Sequence, residues 1–344
     1  MLEIFLNVLL LAAGISLLYF GGDWLVKGAV TLADRLGVSA LVIGLTVVAF
    51  GTSAPELAVN IRAALSSNIE DVGISFGNIF GSNIANIALI LAICAILKTL
   101  TVNKQLVRKT IPLLLAFTGL ATFMVLDPIR KPGEKPEIDW FDGMVLLILF
   151  ACFLYLTTMS ALGKRKRTLL PGAVEGVGDM AGDYSVKVAV LVVLGSLGGL
   201  WLGAELTVSS AIFLAEKASI SKAVIGLTVV AFGTSLPELA VGVIATVRGQ
   251  ADLAIGNVVG SNVFNLLLVM GVTSSIRDVP FPLNPEGGYS EGGWVDVIVF
   301  CWVVVLLYLT VLTQKRISKV EGWILLTIYL LYTSWRFFFS PMEV

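Results

Sequence analysis

Long apolar runs separated by short polar stretches make up most of this chain. A helix needs about 20 apolar residues to cross a bilayer, and ten runs reach that length. They cover residues 4–31, 38–64, 72–97, 106–126, 139–160, 186–215, 221–246, 252–275, 292–313 and 317–339. Five lie on each side of a polar stretch at 163–185. The pattern predicts an all-α integral membrane protein with ten transmembrane helices.

Each half carries a copy of the same two motifs. Residues 42–59 and 224–241 match at 17 of 18 positions, and contain Gly51-Thr52-Ser53-Ala54-Pro55-Glu56 and Gly233-Thr234-Ser235-Leu236-Pro237-Glu238. The second motif is Gly77-Asn78-Ile79-Phe80-Gly81-Ser82-Asn83, then Asn86, matched by Gly256-Asn257-Val258-Val259-Gly260-Ser261-Asn262, then Asn265. We therefore divide the chain into a first five-helix half at 1–162, a linker at 163–185 and a second half at 186–344. Because five is odd, the second half enters the membrane from the opposite side, and the repeats are inverted.

Composition and charge agree with a membrane protein and give its orientation. Hydrophobic residues make up 57% of the chain and charged residues 14%, against about 25% charged in soluble domains. With the basic linker on the cytoplasmic side, 14 of the 23 lysines and arginines fall on that side, as the positive-inside rule requires. This predicts a multi-pass protein of the cell membrane with both termini outside. The three cysteines lie in apolar runs, which favours inert buried thiols over disulfides.

The first motif places one glutamate of each half where lipid would normally exclude it. An intramembrane carboxylate costs about 2.5–3.5 kcal/mol or more unless it is compensated. Thr52 and Ser53 precede Glu56 by four and three residues, so a helix would place their hydroxyls on the same face as the carboxylate. Pro55 has no N–H for the carbonyl of Gly51, and Pro237 likewise frees Gly233, so each helix should break there.

Hydroxyls, free carbonyls and carboxylates form a site of oxygen atoms alone. Oxygen ligands suit hard cations such as Ca²⁺ and Na⁺, and the absence of histidine counts against zinc or copper. In the second motif, polar residues recur every four positions and could add amide oxygens. We favour a ligand role for Asn78 and Asn257. For the other four amides we favour a role in helix packing, and a ligand role stays open. These are Asn83, Asn86, Asn262 and Asn265. Gly77 and Gly81 offer a small-residue face for close helix packing.

With these motifs in inverted halves, the whole chain resembles the calcium/cation antiporter superfamily, most closely the prokaryotic sodium/calcium exchangers. The resemblance implies secondary-active exchange of Ca²⁺ for Na⁺ by alternating access, with four ion sites near the bilayer midplane. It also implies that the first and sixth helices slide as a unit. The metal ligands it implies are Glu56, Glu238, Thr52, Ser53, Thr234, Ser235, Asn78 and Asn257, with the carbonyls of Ala49 and Ala231. It implies a protein that is not an enzyme, uses no cofactor and binds no nucleic acid. It also implies that one chain in the lipid bilayer suffices for transport.

Three alternatives remain at this stage. Amides at Asn78 and Asn257 leave only Glu56 and Glu238 to neutralise the cargo, so Ca²⁺/H⁺ antiport, with H⁺ as the coupling ion, is the nearest rival. A cation channel would use similar oxygens, although inverted repeats in one chain favour alternating access. An intramembrane enzyme lacks an evident base for a serine nucleophile. Asp23 and Lys27, spaced i,i+4 on the first helix, are expected to pair with each other.

Overall fold

The structure is a computed structural model that describes residues 2–66, 69–126, 136–165, 185–218, 233–282 and 290–339. It is mostly helical, because a backbone in lipid must satisfy its polar groups internally. The helices are α1 Leu2–Leu36, α2 Ala40–Thr52, α3 Ala54–Leu65, α4 Ile69–Ala85, α5 Ala92–Leu97, α6 Leu106–Leu126, α7 Trp140–Arg165, α8 Val186–Lys217, α9 Leu236–Val247, α10 Ala251–Val263, α11 Met270–Ile276, α12 Glu291–Gln314 and α13 Lys319–Phe339. The linker prediction falls largely outside these residues.

The described part contains seven helices that are long and apolar enough to cross a membrane, and α2 with α3 would make an eighth if the bent pair is one span. Nine of the ten predicted segments agree closely with the described helix bounds, and 221–232 of the seventh segment lies outside the described residues. Two segments are not counted: α9 has 12 residues because it begins after the turn at Ser235, and α13 has 21 residues but is less apolar. The prediction of a helical membrane protein is confirmed, and the number ten stays a prediction.

Four π-helical turns lie in the described helices, at Gly44–Val48, Asn86–Leu91, Leu106–Thr110 and Phe264–Val269. The second joins α4 to α5 and the fourth joins α10 to α11 without a break in the helix. These two turns contain the last amide of the second motif in each half, Asn86 and Asn265. Since π-turns occur often at functional sites, these two mark the helices that carry the amides.

Short strands join the two halves of the chain in two equivalent places. β1 (Leu100–Thr101) pairs with β4 (Arg316–Ile317), and β2 (Glu137–Ile138) pairs with β3 (Val279–Pro280), both antiparallel. Leu100 lies opposite Ile317, and Val279 lies opposite Ile138, so an offset of 179 residues converts one pair into the other. Each half therefore contributes one strand to each ladder in the same way.

The first and sixth predicted segments, α1 and α8, pack along each other in opposite directions. A Cβ added at Gly14 would lie 2.9 Å from the carbonyl of Gly203, and one added at Gly28 would contact Val192 and Val193. Gly21 on α1 also contacts α8, at Leu200 and Ser196. Gly198 and Gly199 have no described atom within 4 Å of an added Cβ. Close packing on α8 therefore depends on other glycines than the Gly198-Gly199 pair.

Glycines of the second motif bring helices of opposite halves into backbone contact. A Cβ at Gly256 would lie 2.9 Å from the carbonyl of Leu41, and one at Gly260 would lie 2.7 Å from the Cβ of Ala49. α2 and α10 therefore cross at backbone distance. Gly77 and Gly81 have no described atom within 4 Å of an added Cβ, so the close packing predicted for them is found among the described residues only in the second half.

Candidate ion-binding site

The helix carrying the first motif breaks at Ser53, as the sequence predicts. α2 and α3 meet at an angle of 43°, and Ser53 between them has φ −85° and ψ 3°. In the second half, Ser235 has nearly the same conformation, φ −89° and ψ 5°, and α9 begins directly after it. Each proline takes an early position in the new helix, where its missing N–H costs nothing. The two motifs thus build the same turn twice.

Both glutamates follow these turns and are buried. Glu56 and Glu238 lie in the first turns of α3 and α9, and each is almost fully removed from solvent. They are close enough to repel each other electrostatically. Each Oε2 atom lacks a hydrogen-bond partner in the described part of the chain. Two buried carboxylates with free oxygens in one site need either a proton or a bound cation to offset their charge.

Hydroxyls of the first motif connect to the second half. Ser53 donates to Oε1 of Glu238 at 3.3 Å. Thr52 donates to Oδ1 of Asn257 at 3.1 Å, and its Oγ1 lies 3.5 Å from Oγ of Ser261. All of these side chains are buried. The two motifs predicted to share one site therefore meet at atomic contact.

The matching hydroxyls of the second half are also inside the protein. Oγ1 of Thr234 and Oγ of Ser235 are buried and have no hydrogen-bond partner among the described residues. Asn78 is partly buried, and its Nδ2 is likewise without a partner there. Ala231 lies outside the described residues, and the carbonyl of Ala49 accepts the backbone N–H of Ser53 at 3.0 Å. The Thr52 hydroxyl also lies 3.4 Å from the Ala49 oxygen.

Sequence reasoning omitted one residue of this cluster from the ligand set. Ser261 belongs to the stripe of Asn257, Ser261 and Asn265, which recur every four residues on α10 and the π-turn after it. Its hydroxyl reaches Thr52. The same periodicity that selected Asn257 was the signal that could have found it, because residues four apart share a helix face.

All four amides assigned to helix packing are buried with free atoms. Both side-chain polar atoms of Asn262 and Asn265, and Oδ1 of Asn83 and of Asn86, have no hydrogen-bond partner in the described chain. The Nδ2 of Asn83 donates to the carbonyl of Ile79 at 2.8 Å. Buried amides are ordinarily hydrogen-bonded, so these amides have capacity for a ligand. Asn86 and Asn265 also share a helix face with Asn78 and Asn257, because each pair is separated by a multiple of four residues.

The comparisons with known proteins agree with this geometry. The family model described as sodium/calcium exchanger protein matches residues 6–159 and 188–338. An uncharacterized membrane protein of Methanocaldococcus jannaschii is 36% identical over 92% of this chain and 94% of its own length. The sodium/calcium exchanger MaX1 of Methanosarcina acetivorans is 32% identical over 95% of this chain and 97% of its own. A solved structure of the sodium-calcium exchanger NCX_Mj, soaked with Na⁺, aligns with TM-score 0.79 and 33% identity over 96% of this chain and 99% of that one.

Proposed function

This chain belongs to the sodium/calcium exchanger protein family, and from that premise we propose that it exchanges Ca²⁺ for Na⁺ across a membrane by alternating access. The observation that carries the proposal is the contact of Ser53 with Glu238, which joins the two motifs at a pair of buried carboxylates. Two carboxylates carry the charge that neutralises one Ca²⁺ or two Na⁺. A site that fits both cargoes, but not at the same time, is what exchange requires.

The architecture proposed is two inverted repeats of five spans each. The two strand ladders support it, because one becomes the other on adding 179 residues. Hydrogen bonds beside them follow the same relation: Val102 donates to the carbonyl of Lys315, and Phe281 donates to that of Pro136. Such a relation is expected when two copies of one unit interlock about an axis in the membrane plane.

The proposed ligands come from both motifs of both halves. Carboxylates and hydroxyls would form the centre, with amides and carbonyls around them. The set is Glu56, Glu238, Thr52, Ser53, Thr234, Ser235, Asn78, Asn257, Ala49 and Ala231. Buried atoms with free hydrogen-bonding capacity support adding Ser261, Asn86 and Asn265. Asn257 contributes differently from Asn265, since its oxygen already accepts a hydrogen bond from Thr52.

Competition for Glu56 and Glu238 provides the coupling. Either cargo neutralises the carboxylates, so binding one expels the other. An empty site retains two bare charges, and moving them past apolar surface costs several kcal/mol. Only a loaded site would then allow α1 and α8 to slide. The backbone contact between these helices at Gly14, Gly28 and Gly203 supports a smooth packing surface. The free energy comes from the Na⁺ gradient.

We place the protein in the cell membrane with both termini outside and residues 163–185 in the cytoplasm. The excess of lysine and arginine on one side supports this orientation. Labelling of single cysteines in intact and opened cells tests it, in a variant whose three native cysteines are replaced by serine. A membrane-impermeant reagent should label Leu2→Cys in intact cells, and should label a cysteine at residue 170 only after the cells are opened.

Calcium uptake tests the function itself. Proteoliposomes loaded with Na⁺ should take up ⁴⁵Ca²⁺, while vesicles loaded with choline, with or without an outward proton gradient, should not. Glu56→Gln provides the inactive control for the Na⁺-loaded and the choline-loaded vesicles. Uptake driven by the proton gradient alone would establish the alternative, Ca²⁺/H⁺ antiport. The observation behind this alternative is that the site has only two carboxylates. Uptake in neither condition would contradict calcium transport.

A further inference from the structure

A second charged cluster lies away from the ion site, on α1. Asp23 is buried and pairs with Lys27 at 2.8 Å, which confirms the predicted i,i+4 pair. Its other oxygen pairs with Arg248, the residue that ends α9. Sequence analysis did not foresee this second partner, which lies 225 residues away. The cluster joins α1 to the helix that carries Glu238.

The cluster has more positive than negative charge. One carboxylate is shared by two cations, and the side chains of Lys27 and Arg248 remain 38% and 39% exposed. Lys98 approaches the same turn, with its Nζ 3.5 Å from a Cβ added at Gly249. Asp252, in the first turn of α10, adds one acid. Among the described residues at this location, cations therefore exceed carboxylates by one.

The depth of the cluster is that of a membrane boundary. Arg248 and Gly249, the latter with φ +77°, form the turn between α9 and α10, and Lys98 follows the end of α5 at the same level. α1 has 35 residues, which at 1.5 Å each is about 52 Å, longer than the bilayer core of about 30 Å. Asp23 contacts Arg248 in a turn between two membrane helices, so the long side chains of Lys27 and Arg248 can extend to the headgroups.

A groove between α1 and α8 opens beside Lys27. It encloses about 390 Å³. Its walls are mainly apolar, with Lys27 as the one charged group, and consist of Trp24, Lys27, Leu191, Val192, Gly195 and Ser196. Trp24 is 55% exposed, and exposed tryptophans are typical of the membrane interface. A Cβ added at Gly195 would meet no described atom within 4 Å, so the floor of the groove is open.

We propose that this groove binds an anionic phospholipid, with its phosphate at Lys27 and Arg248 and an acyl chain along Leu191 and Val192. The two cations contact the same carboxylate and so lie close enough together to share one phosphate. Excess positive charge selects an anionic lipid over a zwitterionic one. An apolar wall next to that charge selects a lipid over free phosphate. The inference does not depend on which ions the protein exchanges.

Fluorescence quenching at Trp24 tests the proposal directly. The purified protein is reconstituted in phosphatidylcholine vesicles that contain either brominated phosphatidylglycerol or, at the same fraction, brominated phosphatidylcholine. Subtracting the signal of Trp24→Phe isolates this one residue. We expect phosphatidylglycerol to quench Trp24 at lower fractions than phosphatidylcholine. Equal quenching by the two lipids would overturn the proposal.

Variants that should change the preference for phosphatidylglycerol in opposite directions separate headgroup binding from structural effects. Lys27→Gln and Arg248→Gln each leave Asp23 with one cation, and each should lower the preference for phosphatidylglycerol about fivefold, as expected for one basic residue near the surface. Asp23→Asn removes the negative charge and should raise the preference. Lys109→Gln, on the exposed start of α6, should leave it unchanged. An equal loss in Lys109→Gln, or displacement of the lipid by soluble glycerol phosphate, would contradict a specific lipid site.

Discussion

The Ser53 hydroxyl donates a hydrogen bond to Oε1 of Glu238, 185 residues along the chain, at 3.3 Å. Ser53 forms the turn of the first half and Glu238 follows the matching turn of the second half, and both are buried. The contact means that neither motif forms its site alone. Loss of a ligand in one half should therefore weaken ion binding by the ligands of the other half. The predictions for Glu56, Thr52 and Asn257 test that dependence.

Glu56→Gln should abolish Na⁺-dependent ⁴⁵Ca²⁺ uptake while the protein stays folded. The amide keeps the size of the side chain but removes one of two negative charges, so the site can no longer neutralise Ca²⁺. Uptake into Na⁺-loaded vesicles measures the loss, and elution as a single peak in detergent checks folding. Glu205→Gln, on the exposed face of α8, is the matched control and should retain uptake. Retained uptake by Glu56→Gln would refute the mechanism of charge neutralisation.

Thr52→Val should weaken Ca²⁺ binding without unfolding the protein. Valine has nearly the same shape but lacks the hydroxyl that donates to Asn257 and contacts Ser261. A buried hydrogen bond contributes about 1 kcal/mol net, so the apparent affinity should fall about fivefold. Titration of Ca²⁺ in detergent by calorimetry measures it. The control is Thr46→Val, because the Thr46 hydroxyl donates to the carbonyl of Val42 within its own helix. An equal loss of affinity in Thr46→Val would show that the contacts of Thr52 in the site are unimportant.

The sequence predicted the helices well because lipid imposes a simple rule. A spanning helix must be apolar for about 20 residues, so its ends are visible as polar residues, and predicted and observed bounds differ by a few positions. The break at Ser53 was also predictable, since Pro55 removes a backbone donor. The π-turns after Asn86 and at Phe264 were not, because they depend on how neighbouring helices fit, which no local pattern contains.

The composition of the site could be predicted in part. Repetition of Glu56 at Glu238 identified the carboxylates, and helical spacing identified the hydroxyls beside them. The pairing of Thr52 with Asn257 and Ser261 could not be read from spacing, because it requires the crossing of α2 and α10 at Gly256 and Gly260. Likewise, the position of Arg248 at Asp23 depends on contact between helices remote in sequence.

Asn257→Asp should change how Ca²⁺ uptake depends on Na⁺. Aspartate keeps an oxygen that accepts from Thr52, so the hydrogen bond of 3.1 Å is preserved, while a third negative charge enters the site. More negative charge favours a cargo of greater total positive charge. The Na⁺ concentration that halves ⁴⁵Ca²⁺ binding, and the steepness of that dependence, measure the effect. Asn257→Ala removes the amide without adding charge, and an unaltered Na⁺ dependence in Asn257→Asp would contradict a role for this position in coupling.

Gly51→Ala should destabilise the contact between the first motif and α8. An added Cβ would collide with the side chain of Leu197, so that side chain must move, and overpacking of this kind costs about 1–3 kcal/mol. We expect a lower midpoint of thermal unfolding in detergent and slower exchange. Leu197→Ala creates the space that the new methyl group needs, so the double variant should recover most of the loss.

The recovery distinguishes steric contact from a backbone requirement for glycine. Gly51 lies within α2, where alanine is an excellent helix former, so the backbone itself tolerates the change. Gly198→Ala, one residue from Leu197 and with no described atom within 4 Å of the added Cβ, should leave both the thermal midpoint and the exchange rate unchanged. If Gly51→Ala remained impaired in the Leu197→Ala background, the packing of α8 on the motif would not be the reason that glycine stands at this position.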